Sequence, residues 1–348
     1  MSPDSAGSVM RREIDEQPAV LARALDESLS EIRSVAGVLR QRAPRFVLFA
    51  ARGTSDHAAL YAKYLVEIHL GLPCGLASPS TTTAYSARPD LRDVLVVAVS
   101  QSGGSPDLVE YATVARECGA TVLAVTNAPG SALAQAAELH VDVRAGSEQA
   151  VAATKSYTAE LLALWLLVDA WRAGDAEAAR SVPEAAQSVL GSYDDISRLA
   201  ERYRFTDRIV LTARGYSYPT AREAALKLME TSYVAAHAFS GADLLHGPLA
   251  MIDEEHPVIA VVPEGVGATA MHPVLERLRA RHVDLVVVGG PTSTPLATSS
   301  VLLDHGLAEE LAPIVDVIAL QQLALVMALA RGFDPDNPRG LSKVTQTW

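Results

Sequence analysis

Two stretches decide how this chain is built: "VLFAARGTSDHAALYAKYLVE" at 47–67 and "IVLTARGYSYPTAREAALKLM" at 209–229. Each opens with a short apolar run, continues with Ala-Arg-Gly-x-Ser, and ends in an amphipathic segment of matching length that reads as a helix. Two copies of one α/β unit are therefore expected. The rhythm continues outward from each copy. RFVLFA (45–50), VLVVAVS (94–100) and TVLAVT (121–126) alternate with helical segments, the first over about 56–70 and the second over about 106–118. RIVLTA (208–213), PVIAVV (257–262) and DLVVVG (284–289) repeat the pattern in the second half. Apolar, β-branched runs separated by helices build parallel sheets with helices over both faces.

This division predicts an N-terminal helical segment (1–34), a first domain (35–175), connecting helices (176–203) and a second domain with a C-terminal tail (204–348). With 348 residues, 49% of them hydrophobic and 20% charged, the chain can bury a core in each domain. A net charge of −12 without a block of basic residues argues against a nucleic-acid partner, because such binding leans on clustered Lys and Arg. Apolar runs such as 94–99 and 257–262 are far shorter than the roughly 20 residues that cross a bilayer, and the first residues hold no apolar leader. A cytoplasmic protein without a membrane partner is the expectation. Cys74 and Cys118 are the only cysteines and have no metal-site spacing, so two reduced thiols are expected.

Any anion must then be recognised locally. "AVSQSGGSPD" (98–107) ends an apolar run in hydroxyls, an amide and two glycines, at the strand edge where open α/β sheets bind ligands. Ser-Pro-Asp is also common chemistry for starting a helix, and on this stretch alone the two readings stand level. "ARGTSD" (51–56) repeats the grammar after the first strand, and "GSEQAVAATKSYT" (146–158) sets small and hydroxyl residues ahead of a long helix with Lys155 in its first turn. Neither Gly-Lys-Ser/Thr after a spaced glycine nor Gly-x-Gly-x-x-Gly is present, so no nucleotide cofactor is implied. A cradle of serine and threonine suited to a monophosphate remains.

These stretches, with "VTNAPGS", "AALKLMETSYVAAHAFSGADLLHGPLAMID", the opening "REIDEQP" and the tail "PRGLSKVT", stand in the order seen in the isomerase half of glucosamine-6-phosphate synthase. The chain resembles double sugar-isomerase (SIS) proteins over almost its whole length. The resemblance implies an α/β fold of two SIS domains, each a doubly wound, flavodoxin-like three-layer unit. It further implies that Gly53, Thr54, Ser55, Ser100, Gln101, Ser102 and Ser105 bind a sugar phosphate, with Ala152 and Ala153 near the sugar. After the corresponding strand the second half has VVPEGVG, without serines, so one phosphate cradle per chain is expected.

Glu223, Lys227 and Glu230 lie four and three apart and share one helical face. For Glu223 and Lys227 the spacing reads as a surface ion pair. For Glu230 the resemblance implies the proton shuttle of aldose–ketose isomerisation, with Lys227 one turn away to stabilise charge on the sugar oxygens. Moving a proton between C2 and C1 of an open-chain sugar requires such a group. His246 is implied to open the sugar ring, reaching in from a neighbouring subunit, so at least a homodimer is expected. Lys343, in "RGLSKVTQTW", is implied to sit on a tail folded over the sugar, where its amine forms or mimics a Schiff base with the open-chain carbonyl.

Arg52 replaces a small residue of the family's pattern, Gly104 an acidic one and Asp243 a glutamate; these departures put the amine donor and the sugar in doubt. Glutamine-using relatives carry an N-terminal amidotransferase domain with a catalytic cysteine, whereas this sequence has none before Cys74. The expected net reaction is therefore deamination of an amino-sugar phosphate, glucosamine 6-phosphate giving fructose 6-phosphate and ammonia, with neither metal nor other cofactor. The alternatives are a deaminase or deglycase for another phosphosugar, a plain ketose–aldose isomerase, and a non-catalytic sugar-phosphate sensor. The sensor would need the phosphate loop but not Glu230, His246 and Lys343 together.

Overall fold

A computed structural model describes residues 5–343. It contains two five-stranded, all-parallel sheets. The chain sorts into two compact units, each holding one sheet.

The N-terminal unit consists of Ala19–Glu148, Lys155–Arg180 and the tail from Ser342. Its strands are β1 (Phe46–Ala50), β2 (Cys74–Leu76), β3 (Val94–Ser100), β4 (Thr121–Thr126) and β5 (Leu139–Asp142), ordered β2-β1-β3-β4-β5. The helices are most of α2 (Gln17–Arg42), α3 (Thr54–His69), the one-turn α4 (Ser80–Thr83), α5 (Pro106–Glu117), α6 (Ala132–Ala136) and α7 (Lys155–Trp171). Alternate residues of the central strands, Val96, Ala98, Val122 and Ala124, pack against Leu108, Tyr111, Ala112 and Ala115 of α5. This period of two, meeting a helical face, fixes the sheet against that helix. Helix α7 is buried from Lys155 through Ala170 and packs on α3.

The C-terminal unit comprises the residues up to Pro18, Gln149–Thr154 and Ser181–Leu341. Its strands are β6 (Arg208–Ala213), β7 (Ala235–Ser240), β8 (Val258–Val262), β9 (Leu285–Gly289) and β10 (Ser299–Leu302), ordered β10-β9-β8-β6-β7. Read from the other edge, this is the order of the first sheet. Its helices are α1 (Ser8–Asp15), α8 (Val182–Leu190), α9 (Tyr193–Tyr203), α10 (Tyr218–Ser232), α11 (Gly241–Leu245), α12 (Val266–Arg279) and α13 (Ala312–Ala330). Both sheets have the flavodoxin-like order, so the expected duplicated architecture is observed. Helix α13 is long and apolar enough to cross a membrane by length and composition, which the shorter runs weighed in the sequence were not. Yet 89% of that window is buried inside the protein, against α8, α9 and α10.

Candidate active site

In the N-terminal unit β3 ends at Ser100, and residues 101–105 lead into α5. Gly103 takes a positive φ of 59°, and a Cβ there would lie 2.1 Å from the Ser131 hydroxyl, so only glycine lets the turn close. The Gly103 N–H donates to Ser100 Oγ (3.1 Å) and the Gly104 N–H to Ser102 Oγ (3.3 Å). Both hydroxyls thus act as acceptors within the loop and keep their own protons to donate outward. Ser105 precedes α5 in an extended conformation, and its side chain makes no capping bond. Ser105 is the residue before the helix, as the helix-start reading requires, but its hydroxyl takes no part in capping it. Leu108 N–H bonds Asp107 Oδ1 instead (2.9 Å).

Gly53 turns the chain from β1 into α3 with φ 55°, and Thr54 is the first residue of that helix. Ser55 donates its hydroxyl to Glu160 Oε1 of α7 at 2.9 Å in the buried interior. Arg52, just before this turn, pairs with the buried Asp107 at the start of α5, through Nε (2.9 Å) and Nη2 (2.8 Å).

The same unit holds a carboxylate that motif reading passed over. Glu148 is buried and accepts from Ser156 N–H (3.0 Å), from Ser156 Oγ (2.7 Å) and from Lys343 Nζ (2.7 Å). Burial alone pushes its pKa up, but the Lys343 ammonium and the two Ser156 donors outweigh it and hold the carboxyl below its ordinary value. Lys343 is therefore not a solvated tail lysine. Its amine is held on a buried carboxylate. Within "GSEQAVAATKSYT" the signal was a lone acid among small residues, eight positions before Ser156.

In the C-terminal unit α10 carries Glu223, Lys227 and Glu230. Lys227 Nζ lies 2.5 Å from Glu230 Oε2 and 3.2 Å from Glu223 Oε1. The surface-pair reading of Glu223 and Lys227 is corrected here: their side chains are 0% and 1% exposed, whereas Glu230 is 21% exposed. Spacing shows that residues share a face; it does not show that this face packs on β6, β7 and α13. Burial alone would lower the Lys227 pKa, but the carboxylates of Glu223 and Glu230 raise it above the usual lysine value. Lys227 is thus a permanent cation that turns Glu230, the member that reaches solvent, toward it. His246 is exposed at the end of α11, and its N–H bonds Asp243 O.

Residues 149–154, holding buried Ala152 and half-buried Ala153, also belong to this unit. Glu13, from the opening "REIDEQP", accepts the N–H groups of Gln149 (2.5 Å) and Ala150 (3.1 Å). Gln17 donates to Gln321 Oε1 (2.9 Å), and Gln321 donates to Thr154 O (3.2 Å). These buried side chains hold the segment at both ends. The quoted motif contained them, but no role had been attached to them. Farther on, Tyr233 at the end of α10 accepts the Arg339 N–H (2.9 Å), and the Arg339 guanidinium lies 3.7 Å from the Tyr233 ring centroid.

The second copy has no serine loop, and the structure shows what stands there. The N–H groups of Val266 and Gly267, at the start of α12 after β8, donate to Glu309 Oε2 (2.7 Å) and Oε1 (2.8 Å). A Cβ on Gly265 or Gly267 would come within 2.3 or 2.6 Å of that carboxylate. Among the described residues, no group of three His, Cys, Asp or Glu is placed to hold a metal ion.

Duplicated parallel sheets with this loop and helix set define a sugar-isomerase class of protein, and comparison with known proteins agrees. The SIS domain family matches residues 42–170 and 203–331, and the chain belongs to that family. The glutamine–fructose-6-phosphate aminotransferase (isomerizing) of Methanothermobacter thermautotrophicus is 34% identical over 341 residues, 96% of this chain and 56% of that protein. The Streptomyces coelicolor enzyme of the same name is 34% identical over 97% of this chain and 58% of its own length, so the chain spans little more than half of these relatives. The C-terminal domain of glucosamine-fructose-6-phosphate aminotransferase from Francisella tularensis superposes with a TM-score of 0.87 at 26% identity, covering 96% of this chain and 99% of that one. Glucosamine-6-phosphate deaminase of Thermotoga maritima shares the fold with a TM-score of 0.80 at 20% identity, covering 98% and 100%.

Proposed function

We propose that this protein interconverts an amino-sugar phosphate and a keto-sugar phosphate, and that its net reaction is hydrolytic: glucosamine 6-phosphate and water give fructose 6-phosphate and ammonia. The observation that carries a phosphosugar substrate is the serine loop, where Ser100 and Ser102 keep their protons to donate and Ser105 leaves its helix uncapped. Hydroxyl donors around a helix start suit a phosphate in a chain of net charge −12. Gln101, Gly53 and Thr54 complete the cradle in this reading, and Ser55 supports it from behind through Glu160.

Glu230 then takes the proton from one carbon of the open-chain sugar and returns it to the other. Lys227, held charged by two carboxylates, offsets the negative charge that develops on the sugar oxygens. His246 exchanges a proton with the ring oxygen or O1 to open the ring, acting in a neighbouring subunit's site. Lys343 meets the carbonyl, its amine oriented by Glu148. The relatives at 34% identity, named as isomerizing aminotransferases, support nitrogen chemistry beside isomerisation.

The test is a panel of hexosamine 6-phosphates incubated with the protein alone and assayed for ammonia and for keto-sugar phosphate. Release of both from glucosamine 6-phosphate is expected. Isomerisation without ammonia would leave a ketose–aldose isomerase, and silence across the panel would reject the reading.

A further inference from the structure

We propose that Arg52 is a phosphate-binding residue that supplies a cation to the cradle. The inference rests on the phosphosugar reading of the serine loop and adds a contact to it. Arg52 lies between β1 and Thr54, so its backbone belongs to one wall of the cradle. Its guanidinium lies across the other wall, on Asp107, two residues past Ser105 in the first turn of α5. The charged head therefore stands where helices α3 and α5 both begin, and each of those N-termini adds positive potential.

The pairing is asymmetric in a way that a plain tie between two loops does not need. Asp107 has 2% of its side chain exposed, whereas Arg52 has 44%. Nε and Nη2 both meet the same oxygen, Oδ2, and among the described residues Nη1 makes no hydrogen bond. A buried carboxylate thus fixes the plane of a guanidinium whose remaining N–H groups face water. That is how a fork for two phosphate oxygens is held ready, and a lysine in its place has no such plane. The loop residues Ser100, Gln101, Ser102 and Ser105 bring only neutral donors, so the cation has to come from elsewhere.

Calorimetry of fructose 6-phosphate and of inorganic phosphate on the full chain tests this, with kinetics alongside. Arg52→Ala is expected to bind both about ten- to a hundredfold more weakly, with KM raised and kcat largely kept, the sign of a lost contact made equally in ground and transition states. Arg52→Lys should recover only part of the loss. Asp107→Asn, which loosens the fork but leaves the cation, should lose less than Arg52→Ala. Wild-type affinity in Arg52→Ala would overturn the inference and leave the cradle standing. So would equal losses in Arg52→Ala and Asp107→Asn with a matching fall in melting temperature, which mark a mere tie. If the wild type binds neither probe, the phosphosugar reading fails and this inference with it.

Discussion

Replacing Lys227 with methionine is the sharpest test of the buried triad, because the three partners differ in how they meet water. The ammonium lies 2.5 Å from Glu230 and 3.2 Å from Glu223, and Met removes it while keeping most of the side chain's volume. Glu230, 21% exposed, can rehydrate. Glu223, fully buried, cannot, and is left as a stranded charge or must take up a proton. Breaking a buried pair in this way costs about 3–5 kcal/mol. For a cooperative unit of this size that is a fall in Tm of roughly 6–20 °C. Adding Glu223→Gln removes the stranded charge, so the double variant should melt above Lys227→Met alone. Because Lys227 has its pKa raised by folding, its contribution is fully present below the unfolded lysine value of about 10.5 and fades as pH climbs above it. The wild type should therefore lose this stability only in alkali, and Lys227→Met should lack that alkaline step. Thermal unfolding followed by circular dichroism from pH 7 to 11 reads all of this. A Lys227→Met Tm within a degree or two of wild type, or no recovery in the double variant, would refute the triad as a charged, mutually dependent unit.

Glu230→Gln should slow exchange of the C2 proton of glucosamine 6-phosphate with deuterated water, read by NMR, by about 10²–10⁴-fold; undiminished exchange would move the shuttle elsewhere. Mixing inactive Glu230→Gln with inactive His246→Ala chains should restore part of the activity through hybrid sites, and no recovery after verified subunit exchange would place both residues in one chain. Ser102→Ala should weaken sugar-phosphate binding about tenfold or more in calorimetry, whereas unchanged affinity would mean that the loop only shapes a helix start. Glu309→Ala removes the acceptor of two N–H groups at the start of α12 and should destabilise the C-terminal unit by about 0.5–2 kcal/mol in denaturant unfolding; an unchanged midpoint would show that water replaces the carboxylate at no cost.

What could be read from the sequence follows burial. The six apolar runs became β1, β3, β4, β6, β8 and β9, the inner strands of the two sheets, because a strand covered on both faces is apolar without interruption. The four strands that went unread, β2, β5, β7 and β10, are the four sheet edges. All are partly exposed, β2, β5 and β10 have only three or four residues, and residues such as His140, His237 and Ser299 break any apolar run. Helix starts at Thr54 and Pro106 fell within two residues of the reading because turn chemistry is local. Glu148 and Glu13 were missed for the opposite reason: each meets a charged or backbone donor across more than a hundred residues, Lys343 in one case and Gln149 in the other. Glu223 was misplaced since an i, i+4 acid and base look the same on a wet face and a dry one.

The two halves also show how a duplicated fold becomes asymmetric without losing its architecture. Each copy sends its third strand, β3 or β8, into a helix whose first N–H groups have no partner within the helix. Such donors must meet something. In the first copy the helix begins at Pro106, which has no N–H, and the Leu108 N–H meets Asp107 and Ser105 nearby in the chain. In the second, Glu309 arrives from more than forty residues downstream and sets both carboxylate oxygens on Val266 and Gly267. Gly265 and Gly267 are bare because a side chain at either would collide with it. The serine-free VVPEGVG and Glu309 therefore belong to one arrangement. A loop whose donors already meet a carboxylate has none left for an anionic ligand, which is why the proposed cradle lies in the serine loop of the other copy.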